Sequence, residues 1–198
     1  GEIVILGARP SLGKTRLAVN IMLNMSRDVR QRTLLFSLEM TELEVSSRIL
    51  SQQAMVNGER MRKHMLDQDE LNRLSQAACE LNGLPLRIND SPDMTMSQMA
   101  AIARREHRDS PLSIVVVDYL QLISPEDRRQ PREQQVADIG RKLKGLAKTL
   151  NVPVLALAQL NRKVEERQNK KPVLSDLRES GSLEQDANLV LFLHRPDF

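Results

Sequence analysis

The stretch GARPSLGKT, residues 7–15, decides the fold of this chain. It follows a short apolar run at residues 3–6 and precedes a segment in which Leu17, Ile21 and Met25 recur every four residues, as they would on a helix. A glycine-containing turn that joins a strand to a helix and ends in Gly-Lys-Thr is typical of a phosphate-binding loop. We therefore expect a strand, a nucleotide-binding loop and a helix, in that order.

The chemistry of such a loop assigns roles to some of its residues. Backbone N–H groups bind the phosphates of a nucleotide, Lys14 adds a point charge, and the Thr15 hydroxyl can bind Mg²⁺. The strict motif has glycine where Ala8 stands, so the match is to a relaxed form of the motif. The alternative is a chance Gly-Lys-Thr at the start of a helix, which the polar residues after the later strands argue against.

The rest of the chain alternates between strand and helix patterns. Apolar runs without polar alternation, typical of strands buried on both faces of a parallel sheet, lie at residues 33–37, 86–89, 114–118, 153–157 and 189–193. The helix signals between them are capping-box spacings at Thr41 with Glu44 and at Thr95 with Gln98, a cap at Asp67 for a run that ends near Gly83, and an apolar stripe over 133–150. This order predicts an α/β fold with a mostly parallel, twisted sheet and helices on both faces. Polar segments at 124–131 and 161–172 are expected to be surface loops.

The composition narrows the classes of function. A chain of 198 residues with 40% hydrophobic and 28% charged residues can bury the core of one domain, and no apolar run is long enough to span a membrane. Aromatic residues make up only 2% of the chain, so we expect any nucleic acid to be held by its phosphates rather than by base stacking. The single cysteine, Cys79, excludes an internal disulfide and a multi-cysteine zinc site, and favours a reducing compartment such as the cytoplasm.

Three polar residues follow predicted strands. Asp118 closes the run at 114–118, so we expect it at the carboxyl end of a buried strand, where it would hold Mg²⁺ directly or through water. Glu39 follows the run at 33–37, where it could act as a general base on a water molecule that attacks the γ-phosphate of a bound nucleotide. Gln159 follows the run at 153–157, where it could sense the γ-phosphate through its amide. The alternatives are a turn-capping carboxylate for Asp118 and ordinary surface positions for Glu39 and Gln159.

Five sequence blocks together resemble the ATPase domain of the bacterial replicative hexameric DNA helicases, the DnaB-like family with a RecA-type core. They are GARPSLGKT (7–15), LLFSLEM (34–40), VVVDYLQLI (115–123), LNVPVLALAQLNR (150–162) and PVLSDLRESGSLEQDANLVLFLHR (172–195). They follow the family's order, and the last two are specific to it rather than general to P-loop proteins. The resemblance implies a RecA-like P-loop NTPase fold and an ATP-dependent DNA helicase that uses ATP and Mg²⁺ and moves 5′ to 3′ on single-stranded DNA.

The resemblance also implies roles for individual residues. Nucleotide binding falls to Ala8, Arg9, Pro10, Ser11, Leu12, Gly13, Lys14, Thr15 and Arg16. Lys14, Glu39 and Gln159 are the implied catalytic residues, with Thr15 and Asp118 on Mg²⁺. Residues 176–182 resemble the loop that faces the central channel, in which Arg178, Glu179 and Gly181 contact single-stranded DNA without reading its sequence. The basic stretch 162–171 is expected to be a solvated face, with channel contact as the lesser alternative.

Proteins of this family are homo-hexamers that work with a primase and a helicase loader. The resemblance therefore implies that residues 1–198 are one ATPase domain of a longer chain, without the family's amino-terminal domain and without the later segment that supplies an arginine finger to the neighbouring subunit. Such a piece should bind Mg-ATP but hydrolyse it slowly. Two other functions stay open: a RecA-type recombinase that forms filaments on DNA, and a non-motor ATP-dependent switch or inactive paralogue.

Overall fold

Six strands form one continuous sheet in the computed structural model, which describes residues 1–28, 30–161, 164, 165, 167 and 170–195, without the side chains of 178–182. The strands are β1 (Ile3–Ala8), β2 (Arg32–Ser37), β3 (Leu86–Asn89), β4 (Leu112–Asp118), β5 (Val154–Gln159) and β6 (Leu189–Leu193). Their order across the sheet is β3-β2-β4-β5-β1-β6, and every pairing is parallel. The predicted α/β fold is confirmed, and each predicted strand agrees with an observed one to within two residues at either end.

Seven α-helices connect these strands in the described part of the chain. They are α1 (Lys14–Asp28), α2 (Glu42–Gln53), α3 (Gly58–Arg62), α4 (Gln68–Asn82), α5 (Met96–Asp109), α6 (Arg132–Leu150) and α7 (Gly181–Asp186). One face of the sheet packs against α1 and α2, and the other packs against α5, α6 and α7. The prediction of helices on both faces is therefore confirmed.

The predicted helix caps are present. Thr41 Oγ1 accepts a hydrogen bond from the Glu44 N–H at 3.3 Å, and the Glu44 carboxylate accepts one from the Thr41 N–H at 2.9 Å. The same reciprocal pair joins Thr95 to Gln98 at the start of α5, and Asp67 caps α4. Because these caps bind backbone N–H groups that the helix leaves unpaired, they fix where α2, α4 and α5 begin.

The buried face of α1 differs from the stripe that the sequence suggested. Leu17 is 37% exposed and its stripe partners are only partly buried, whereas Ala18 and Met22 are each 1% exposed. Ser26 is also buried, and its hydroxyl is hydrogen-bonded to Thr33 Oγ1 at 3.0 Å. A second four-residue series therefore runs one position later along the helix, and this series faces the sheet. The small Ala18 side chain lets α1 lie close to the strands beside the loop.

The segment between β5 and β6 differs in part from two expectations. Residues 161–172 were predicted as a surface loop; of the described residues there, Glu165, Lys170 and Lys171 are exposed, but Val164 is fully buried in the core on the α5 and α6 face of the sheet. Residues 162, 163, 166, 168 and 169 lie outside the described residues. Residues 176–182 were predicted as a loop, but the main chain forms a 3₁₀ helix, Leu174–Ser180, followed directly by α7. Leu177 and Leu183, which are 2% and 3% exposed, account for this because their burial draws the segment onto the core beside α6.

No helix in the described part of the chain combines the length and the apolar content that crossing a membrane requires.

The predicted loop at 124–131 is confirmed as a segment without helix or strand.

Candidate nucleotide-binding site

The phosphate-binding loop connects β1 to α1 with the backbone geometry that its motif requires. Ser11 and Gly13 have positive φ angles of 64° and 91°, and glycine adopts such a conformation without strain. No described atom lies within 4 Å of the position that a Cβ on Gly13 would take, so the main chain there is open to a ligand. α1 begins at Lys14, and the N-terminus of a helix attracts anions through its free N–H groups and its dipole.

Asp118 lies next to this loop although it comes from a different part of the chain. It ends β4, is 1% exposed, and its Oδ2 accepts a hydrogen bond from Thr15 Oγ1 at 2.6 Å. Its Oδ1 lies 3.5 Å from Lys14 Nζ and is buried without a hydrogen-bond partner among the described residues. This oxygen is paired by charge with Lys14 but accepts no hydrogen bond from the described residues, so it can still bind a ligand. This pair of oxygen ligands, a hydroxyl and a carboxylate, fits Mg²⁺.

Tyr119 forms the other side of the Lys14 environment. Lys14 Nζ lies 4.2 Å from the centre of the Tyr119 ring, which is a cation–π contact. Burial raises the pKa of the Tyr119 phenol above 10.0, and the nearby carboxylates of Glu39 and Asp118 raise it further. The phenol is therefore neutral at physiological pH, and Lys14 is held between an aromatic face and a carboxylate.

A cavity of about 1080 Å³ opens beside the loop. It brings together most of the sequence-predicted site residues: Ala8, Arg9, Pro10, Ser11, Gly13, Lys14, Thr15, Arg16, Glu39 and Gln159 all line it. Leu12 does not line the cavity, and Asp118 lies behind the lining as a buried residue. The cavity continues between α1 and α2, where Asn20, Arg48 and Gln52 also line it. Apart from Leu12, the predicted catalytic and nucleotide-binding residues thus line one cavity, whose size and charge suit a nucleoside triphosphate.

Sequence reasoning missed three contacts around this site. Tyr119 contacts Lys14, and the Gln121 side chain is hydrogen-bonded to the main chain of Gln159. Both residues lie in the VVVDYLQLI block, yet the sequence suggested no role for either. Arg9 donates from Nε and Nη2 to Glu165 Oε1 at 3.0 and 2.7 Å, which joins the phosphate-binding loop to the segment after β5. A contact between residues 156 positions apart leaves no periodic signal in a single sequence.

The predicted DNA-contact residues are less completely described. The main chain of Arg178 and Glu179 lies in the 3₁₀ helix, and Gly181 is the first residue of α7, but their side chains lie outside the described residues. The residue that anchors this segment is Asp176, which is 4% exposed. Its carboxylate forms an ion pair with Arg167 and accepts a hydrogen bond from the Val173 N–H at 2.7 Å.

A parallel sheet with a phosphate-binding loop after β1 and a buried carboxylate at the end of β4 defines a P-loop nucleotide-binding protein. Comparison with known families is more specific. The family model described as the DnaB-like helicase C-terminal domain matches residues 1–198, so this chain belongs to that family.

The curated relatives are replicative DNA helicases. The chain is 41% identical over 198 residues to the replicative DNA helicase DnaB of Geobacillus stearothermophilus, a match that covers all of this chain and 44% of that protein. It is 44% identical over 195 residues to the DnaB protein of Leifsonia xyli subsp. xyli, covering 98% of this chain and 43% of that protein. The chain therefore spans less than half the length of these relatives.

Solved structures agree with this assignment. A DnaB-like replicative helicase, solved in a study of its interactions with primase, has a TM-score of 0.94, with 38% identity over 99% of this chain and 48% of that one. A second solved structure, of an ATPase domain, also has a TM-score of 0.94, with 39% sequence identity and with 99% of this chain and 70% of that chain covered. The predicted RecA-like fold and the stated family resemblance are confirmed.

Proposed function

We propose that this chain is the ATP-hydrolysing motor domain of a replicative DNA helicase, which moves along single-stranded DNA and unwinds the duplex. The observation that carries the proposal is the 2.6 Å hydrogen bond from Thr15 to Asp118 beside a cavity that Glu39 and Gln159 also line. ATP hydrolysis needs a cation-binding group, a base and a group that contacts the γ-phosphate around one nucleotide, and candidates for all three beside one cavity support the proposal. Family membership and the names of the relatives support the reaction.

The residues of this chain divide the work of phosphoryl transfer to water. Lys14 neutralises charge on the β- and γ-phosphates, and the loop N–H groups orient them. Glu39 accepts the proton of the attacking water as the general base, a role that usually contributes about 10²–10⁴-fold in rate. Gln159 hydrogen-bonds the γ-phosphate and so reports whether it is present. Thr15 and Asp118 would hold Mg²⁺, which when bound neutralises the charge that develops on the phosphate oxygens.

Single-stranded DNA is the proposed second ligand, held by Arg178, Glu179 and Gly181. The proposal is supported by the way residues 176–182 are attached to the domain. The buried Asp176 side chain forms an ion pair with Arg167 and accepts a hydrogen bond from the Val173 N–H. The Asn161 N–H also donates to the Asp176 carbonyl oxygen at 3.1 Å, two residues after Gln159. A movement of Gln159 at the end of β5 can therefore reach the DNA-contact residues through two residues of main chain and one hydrogen bond.

The proposed active form is a homo-hexamer of a longer chain in the cytoplasm, with ATP between subunits and an arginine finger supplied by the neighbour. The coverage of the relatives supports a longer chain, since residues 1–198 match 44% of the Geobacillus protein. A primase partner is supported by the related structure studied for its interactions with primase, and a helicase loader by the family. On this proposal the isolated 198-residue domain binds Mg-ATP and hydrolyses it slowly.

The experiment that tests the proposal measures ATP hydrolysis by the full-length protein with and without single-stranded DNA, together with its mass in solution. A hexamer whose turnover rises with DNA is the expected result. Filaments on DNA would indicate a recombinase instead, and a monomer that binds ATP but ignores DNA would indicate a nucleotide-dependent switch. Full-rate hydrolysis by the isolated domain would remove the need for a neighbour's arginine.

A further inference from the structure

We infer that Gln121 is a positioning residue that fixes the main chain of Gln159, so that the Gln159 amide is held towards the γ-phosphate. The inference rests on the proposed role of Gln159 as the phosphate sensor. Gln121 lies in a short 3₁₀ helix, Leu120–Leu122, three residues after Asp118. Its side-chain Nε2 donates to the Gln159 carbonyl oxygen at 3.0 Å, and its Oε1 accepts from the Gln159 N–H at 3.2 Å.

The position of this pair in the sheet explains why a side chain is needed there. β5 pairs with β1 as far as Ala8 and Gln159, but its pairing with β4 stops at Val117 and Ala156 because the chain leaves the sheet after Asp118. The end of β5 therefore extends beyond its neighbour on the β4 side. A primary amide offers a donor and an acceptor like those of a peptide group, so the Gln121 side chain takes the place of the missing strand.

Two hydrogen bonds to the same residue constrain more than one would. The N–H and C=O of Gln159 belong to the peptide groups on either side of its Cα, so holding both restricts φ and ψ together. Those two angles set the direction of the Cα–Cβ bond and hence where the Gln159 side chain starts. Gln159 lines the nucleotide cavity. Catalytic groups must be held to within a fraction of an ångström, and a displacement of 1 Å can cost about a hundredfold in rate.

Gln121 is itself fixed from the far side. Its carbonyl oxygen accepts a hydrogen bond from Arg132 Nη2 at 2.7 Å, and Arg132 is the first residue of α6. Arg132 Nη1 also donates to Gln135 Oε1 at 3.3 Å. The amide of Gln121 therefore reaches Gln159 from a main chain that the start of α6 holds in place. This arrangement keeps the end of β4, with its cation-binding carboxylate, at a fixed distance from the end of β5, with its sensor.

A double-mutant cycle in the full-length protein tests the inference. The variants are Q121A, Q159A and the double variant, and the measurements are kcat and KM for DNA-stimulated ATP hydrolysis and the thermal unfolding midpoint. We expect Q121A to lower kcat by roughly tenfold or more and to leave KM for ATP nearly unchanged. In the Q159A background, the same Q121A change should have almost no further effect, because Gln121 acts only through Gln159.

Two further variants separate positioning from the general loss of a polar side chain. Q121E keeps an acceptor for the Gln159 N–H but sets a carboxylate oxygen against the Gln159 carbonyl, so its kcat should fall at least as far as that of Q121A. Q76A removes an exposed glutamine on α4 whose amide donates only to Glu80 in the described contacts, at 3.2 Å, and should leave both kinetic constants unchanged.

The outcomes distinguish this inference from the proposed function beneath it. If Q159A itself leaves ATP turnover unchanged, the sensor role fails and the proposed function must be revised. If Q159A slows turnover but Q121A does not, or if the two effects multiply in full, Gln121 does not position the sensor. If Q121A lowers the thermal unfolding midpoint but has a normal kcat when it is assayed well below that midpoint, the role of Gln121 is structural. That result would also overturn the inference.

Discussion

The nucleotide end of the sheet and the segment after β5 are built in different ways. At the ends of β1 and β4, the side chains proposed for the chemistry contact one another, as Thr15 and Lys14 do with Asp118. After β5, the described contacts instead fasten the segment to the rest of the domain through Asp176 and through the Arg9–Glu165 ion pair. The predicted nucleotide-site residues therefore contact one another, whereas the described contacts of the segment after β5 fasten it to the rest of the domain.

The largest expected effects come from two substitutions at the nucleotide site. K14A removes the charge that binds the phosphates, so both ATP affinity and turnover should be lost. E39Q keeps the shape and polarity of the cavity but cannot accept a proton, so ATP should still bind while turnover falls by about 10²–10⁴-fold. Nucleotide-binding titrations and steady-state ATPase rates measure the two effects separately.

The contrast between these variants is the informative part. An equal loss of ATP affinity in K14A and E39Q would mean that Glu39 binds the nucleotide rather than activating water. E42Q is a matched control, because Glu42 is an exposed carboxylate in the first turn of α2 and is not among the cavity-lining residues. It should leave both measurements unchanged.

The segment after β5 should respond through stability first. In D176N the buried carboxylate loses its charge opposite Arg167, and we expect the free energy of unfolding to fall by about 2 kcal/mol. D138N removes an exposed ion pair with Arg141 and should cost less than about 0.5 kcal/mol. Denaturant unfolding of the two variants gives the comparison. Equal values would show that Asp176 is not an anchor.

The sequence predicted the parts of the molecule that depend on local patterns. Apolar runs located all six strands, and the capping boxes at Thr41 and Thr95 fixed where two helices begin. It did not settle which of two adjacent stripes of α1 is buried, because both series are largely apolar and only the approach of the helix to the sheet selects one. It also did not predict that Leu177 and Leu183 would draw the segment at 176–182 into helical turns.

The candidate site shows the same division. Sequence motifs contain Lys14, Thr15 and Asp118, so it could be predicted that these residues lie together. The 2.6 Å hydrogen bond from Thr15 to Asp118 agrees with that prediction. Gln121 lies in the VVVDYLQLI block, but its contact could not be predicted, because its partner is the main chain of a residue 38 positions away. A side chain that completes the end of a strand depends on where two strands stop relative to each other, which only the folded sheet defines.

DNA affinity should be less sensitive than either stability or turnover. R178A in the full-length protein should weaken binding to single strands of any sequence and lower the slope of log affinity against log salt by about 0.7, since one phosphate contact is lost. R108A is the control, because Arg108 is an exposed arginine in the last turn of α5, the helix that leads into the amino end of β4. An unchanged slope in R178A would take this residue out of the DNA contact.

The smallest effect concerns Tyr119, and it can be measured on this chain alone. The chain has one tyrosine and no tryptophan, so the absorbance of the phenolate reports on that residue directly. Because burial and the Glu39 carboxylate raise its pKa, the titration midpoint should lie above 10.0 while circular dichroism shows the chain to be folded. The neutral phenol is the favoured form, so its contribution to stability is complete below pH 10.0 and is lost as the pH rises through the folded pKa.

E39Q separates the two causes of that shift. Removing the Glu39 charge should move the Tyr119 midpoint downwards, but not as far as 10.0, because burial is the larger cause and is retained. D109N removes an exposed carboxylate at the end of α5 and should leave the midpoint unchanged. If the Tyr119 titration midpoint is the same in E39Q as in the unmodified chain, the Glu39 carboxylate lies too far from Tyr119, and therefore from Lys14, to act within the same site.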